Sequence, residues 1–70
     1  MILEITRTYD VVNVAILKHK ITGKYSYVNL TKGHICPCIF ETPQDALDDL
    51  DSYEEIISWK VVQELTIKGI

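Results

Sequence analysis

The sequence predicts an α+β domain: a small antiparallel sheet of about four strands, in the order β-β-β-(β)-α-β, with one main helix packed on one face. Three local patterns predict it. A glycine-centred turn, Lys20-Ile21-Thr22-Gly23-Lys24, separates two β-rich runs. Thr42-Pro43 reads as a helix start. Trp59 to Lys68 alternates apolar and polar residues with a period of two.

Taken in order, residues 2–20 are rich in β-branched side chains, among them Ile2, Ile5, Val11, Val12, Val14 and Ile16. Asp10 is the one turn former before Asn13, so Ile2–Thr8 and Val11–Lys20 are two strands or one bent strand. Gly23 supplies the positive φ of a tight hairpin, after which Tyr25, Tyr27 and Asn29 alternate with Ser26, Val28 and Leu30 and pair antiparallel with the preceding run. Thr31-Lys32-Gly33-His34 is a loop. Pro37 cannot donate to a ladder, so residues 35–40 form an edge strand or an irregular one.

The helix is expected at about Pro43–Asp51, with Asp45 in its first turn and Ala46, Leu47 and Leu50 on one stripe. It ends near Asp51, with Ser52-Tyr53-Glu54-Glu55 starting a further turn, or it continues to Ile57. In the last strand Trp59, Val61, Gln63, Leu65 and Ile67 take one face, and Ile2–Thr8 and Trp59–Lys68 are the candidate sheet edges.

Seventy residues form a single domain, 1–70, with no repeat or linker. A core of this size rarely supplies more than about 3–5 kcal/mol of net stability. The chain is 47% apolar, too much to hide behind one helix, and a homodimer formed through a sheet edge or an apolar face is expected. No apolar run approaches the roughly 20 residues of a membrane span. Met1 to Arg7 lacks the order of a signal peptide. These features predict a cytoplasmic protein, in the host cytoplasm if phage-encoded, with reduced thiols.

Charge is unevenly placed. Residues 1–40 hold two acids against five bases, whereas residues 41–70 hold eight acids against two bases. Between Glu41 and Glu55 stand seven acids and no base. The net charge of −3 argues against direct nucleic-acid binding, which needs clustered Lys and Arg. The acidic run is either a solvated helix face or a docking face that imitates a phosphate backbone and fits a basic, nucleic-acid-binding protein. On the second reading Asp45, Asp48, Asp49, Asp51, Glu54 and Glu55 make the contact, with Tyr25 and Tyr27 as aromatic anchors. Tyr25 and Tyr27 equally serve as cover for the sheet.

His34, Cys36 and Cys38 are the other candidate cluster. Zinc takes four N or S ligands in a structural site, so this set needs His19 or a second subunit to complete it. Cysteines two apart fall on one side of an extended segment, where they pack as small hydrophobes, and a disulfide between them closes a tiny, easily reduced ring. No metal or cofactor is expected. Ser26, Ser52 and Ser58 stand in no nucleophile context, the three glycines build no phosphate loop, and the Asp48-Asp49-x-Asp51 run lacks the calcium-loop pattern. The chain reads as non-enzymatic.

The run from Lys18 to Cys38, with Phe40 and Asp45-Ala46-Leu47-Asp48-Asp49-Leu50, resembles small uncharacterised proteins carried by phages and mobile elements of Gram-positive bacteria. The resemblance implies a protein that binds and redirects a host protein, a class that includes inhibitors of defence nucleases such as anti-CRISPR proteins. A metal- or thiol-dependent module and a structural homo-oligomer are the alternatives.

Overall fold

The computed structural model describes residues 1–65 and 67–69, with Ile67 and Lys68 described by their backbone. Strand β1 (Ile2–Arg7) turns back into β2 (Val11–Lys18), so the first run is two strands. The turn is closed by the Arg7 amide donating to the Asp10 carbonyl at 2.8 Å. Arg7 also grips the Asp10 carboxylate through Nε and Nη2, at 2.6 and 2.7 Å. That bond holds the guanidinium pKa above, and the carboxyl pKa below, its ordinary value.

Gly23, at φ +72°, makes the next turn, and β3 (Tyr25–Asn29) pairs antiparallel with β2. Gly33, at φ +70°, turns the chain into the short β4 (His34–Ile35). The edge then breaks at Pro37, and a single bridge between Tyr25 and Phe40 resumes it.

Helix α1 (Pro43–Leu50) starts where Thr42 caps it, its side chain accepting from the Asp45 amide at 3.1 Å. It buries Ala46 and Leu50. The chain leaves the helix at Asp51 through turns, so neither a second helical turn at Ser52 nor a helix running to Ile57 forms. Ile56 already opens β5 (Ile56–Gln63).

Strand β5 pairs antiparallel with β1, which places β1 inside the sheet. The order is β4-β3-β2-β1-β5. Expecting Ile2–Thr8 at an edge was therefore wrong: its two sides are taken by β2 and β5. The ten-residue strand expected from Trp59 is also corrected. The register shifts twice, so that Ile57 and Val62 are extra residues opposite β1. The strand ends at Gln63, and β6 (Ile67–Lys68) joins the far end of β2 in parallel. The alternation expected at Thr66, and the faces expected of the Ile67 and Lys68 side chains, lie outside the described residues.

The core lies between helix and sheet. Leu3, Ile5, Val12, Val14, Ile16 and Tyr27 from the strands meet Ala46 and Leu50, with Trp59 and Phe40 packed at the margin. The opposite face carries an apolar row across the strands. Ile35 is opposite Val28, Val28 opposite Ala15, and Ala15 opposite Ile2. No helix covers this row among the described residues.

Candidate functional site

The acidic segment maps onto α1 and the turns after it. Asp45, Asp48, Asp51, Glu54 and Glu55 are all exposed, and none of them pairs with a cation among the described residues. Glu41, the first acid of the run, is bridged to Lys24 at 2.9 Å. Asp48 accepts a bond from Gln44 one turn back, at 2.9 Å. The last turn of α1 holds no basic residue, so Asp48 and Asp49 lie at the end of the helix where the backbone carbonyls already gather negative charge. Anions there oppose the helix dipole, at a cost of about 0.3–1 kcal/mol each. Helix stability therefore does not account for their placement.

Two of the expected contact residues are placed otherwise. Tyr27 is 7% exposed, and its hydroxyl donates to the Ala46 carbonyl inside the core. It is corrected from surface anchor to core residue, because α1 lies directly over its strand face. Asp49 is half-buried, 3.4 Å from the same hydroxyl. Burial, then the nearby Asp49 carboxylate, push the Tyr27 hydroxyl well above the usual tyrosine range, and the same two causes raise Tyr53. Asp49 is thus part of the helix–sheet junction. Tyr25 shares the face of Tyr27 but lies nearer the edge and stays half-buried. Tyr9 is 66% exposed, with the Arg7 guanidinium carbon 4.8 Å from its ring centre.

Beside the acidic end opens a cleft of about 150 Å³. Ile5, Val12, Val14 and Leu50 line its apolar part, and Arg7, His34, Tyr53 and Glu55 its polar part. Residue patterning missed it, since it forms only where strand, helix and return turn meet. A cleft of this volume has room for about one benzene-sized ring.

The structure brings Cys36 and Cys38 together, with the Cys36 thiol donating to the Cys38 sulfur at 3.2 Å. That bond first, and then burial, raise the Cys38 thiol pKa above its ordinary value. His34 is exposed on β4, and His19 is engaged instead with the Ser26 hydroxyl at 2.8 Å. Among the described residues, no three His, Cys, Asp or Glu side chains are grouped to hold a metal ion. No helix of the described residues is long and apolar enough to cross a membrane.

Comparison with protein families, curated proteins and solved structures finds no match to this chain.

Proposed function

We propose that this protein acts by binding, without catalysis, and that its contact surface is the acidic end formed by α1 and the turns that follow it. The observation that carries the reading is the set of exposed carboxylates at Asp45, Asp48, Asp51, Glu54 and Glu55, none of them in an ion pair among the described residues, part of it at the helix end least suited to negative charge. A surface of this kind fits a basic protein, such as a nuclease or DNA-binding protein whose groove accepts phosphates. On this reading the protein is an inhibitor of phage or mobile-element type, acting on a host protein in the cytoplasm.

The test is capture of partners from a bacterial lysate on the wild-type chain and on an Asp48→Lys, Asp51→Lys double variant. Asp49 is left intact because it neighbours Tyr27. The variant is expected to fold at least as stably, gaining about 0.3–1 kcal/mol per favourable charge near the helix C-terminus, and to lose the partner. Wild-type binding weakens as salt rises, since exposed charges are screened within about 8–10 Å. A partner held equally by both proteins and at high salt would remove the acidic end from the mechanism.

A second reading rests on Ile35, exposed at the end of an apolar row whose Val28 and Ile2 are half-buried and whose Ala15 is buried: this face joins two copies of the chain. It is compatible with the first, since α1 lies on the other side of the sheet.

A further inference from the structure

We propose that Cys36 and Cys38 form a reversible thiol–disulfide couple, closed by exchange with a small-molecule disulfide such as oxidised glutathione. The two sulfurs lie 3.2 Å apart on the same side of the chain, and both residues are half-exposed. The sheet holds them there. The Cys36 amide donates to the Tyr27 carbonyl at 3.0 Å, and the Ser26 hydroxyl donates to the Cys38 carbonyl at 2.7 Å. Two residues on, Phe40 exchanges a pair of 2.8 Å backbone bonds with Tyr25. Pro37 between the cysteines has no N–H to draw the segment into a regular ladder, so this stretch of edge is pinned by its neighbours yet unpaired at its centre.

The exchange balances in two steps. One cysteine thiolate attacks a sulfur of the small disulfide; that S–S bond breaks, one small thiolate leaves and takes a proton, and a mixed disulfide remains on the protein. The other cysteine, as thiolate, then attacks the protein sulfur of the mixed disulfide. The Cys36–Cys38 bond forms and the second small thiol departs. The protein loses two electrons and two protons, and the small disulfide is reduced to two thiols. Closure requires the sulfurs to move from 3.2 Å to about 2.05 Å. Because the second thiol is already in place, that step is effectively unimolecular and outruns accumulation of the mixed disulfide. The ring is small and partly exposed, so excess thiol reopens it, as for labile rather than structural disulfides.

The experiment incubates the wild type and the Cys36→Ser and Cys38→Ser variants with oxidised glutathione at neutral pH, blocks remaining thiols with a maleimide, and weighs the products. The wild type is expected to lose two hydrogens, take up no maleimide and show at least ~10-fold less glutathione adduct than either variant. Subsequent excess reduced glutathione is expected to restore both maleimide sites. Wild type that accumulates glutathione adducts like the single variants, forms only intermolecular disulfides, or closes a ring that excess thiol does not open would overturn the proposal.

Discussion

Tyr27 joins the two layers at a single atom. Its ring packs in the core, 5.0 Å from the ring of Phe40, and its hydroxyl reaches the Ala46 carbonyl on the helix. Tyr27→Phe keeps the ring and removes the bond, and is expected to lower stability by about 1 kcal/mol in urea denaturation. The same residue predicts a pH effect. Tyr27 and Tyr53 are raised in the folded chain, so the fold favours their neutral forms. Their contribution is complete below the ordinary tyrosine pKa of about 10 and is lost as pH rises above it. The urea midpoint is expected to fall between about pH 10 and 11, and less steeply in Tyr27→Phe. Strand alternation showed that Tyr25 and Tyr27 share a face, but not which would lie beneath the helix. That depends on where α1 lands, which no local pattern in β3 encodes.

Among the elements, α1 was the most legible because its start is local chemistry. Thr42 caps the Asp45 amide and Pro43 takes the first helical position. Thr42→Ala is expected to cost about 1 kcal/mol in the same assay, and Thr42→Ser much less, since serine keeps the accepting oxygen. The Gly23 hairpin was equally legible, for the turn requires a positive φ that glycine adopts freely. Strand β5 was only half legible. Its alternation put Trp59 and Val61 on one face, and both pack against the core, but nothing in it pointed to Ile5 and Leu3 as their partners. The two extra residues, Ile57 and Val62, were not legible, because a bulge answers to the partner strand's register rather than to its own sequence. The acidic run was plain in the sequence, whereas the cleft beside it was not, since its walls come from elements far apart in the chain.

For the molecule as a whole, the edges and the open face behave differently. Bulges interrupt β5 at one edge and Pro37 interrupts the other, both devices that discourage strand-to-strand addition. On the face away from α1, Ala15 is buried, but Ile35 at the end of the apolar row and Leu30 near it are 56% and 49% exposed. Self-association is therefore expected through the face. Light scattering at micromolar concentrations is expected to give about twice the 8.0 kDa chain mass, and Ile35→Lys with Leu30→Lys to return it to the monomer value. A wild-type chain that scatters as a monomer would rule this out.

The pairing of β1 with β5 sets the order of events during synthesis and refolding. β1 precedes β2 and β3 in the chain, yet its second neighbour comes only after all of them and the helix, with Thr6 opposite Ser58 and Ile2 opposite Gln63. A nascent chain can make the β1–β2–β3 meander early, but β1 keeps one side unpaired until β5 emerges. Such closure between distant segments is slow, and folding on the millisecond-to-second scale is expected. The single tryptophan, Trp59, faces Ile5 across this seam. Its fluorescence in stopped-flow refolding therefore times the final closure, and Ile5→Val at the seam should speed unfolding more than it slows folding.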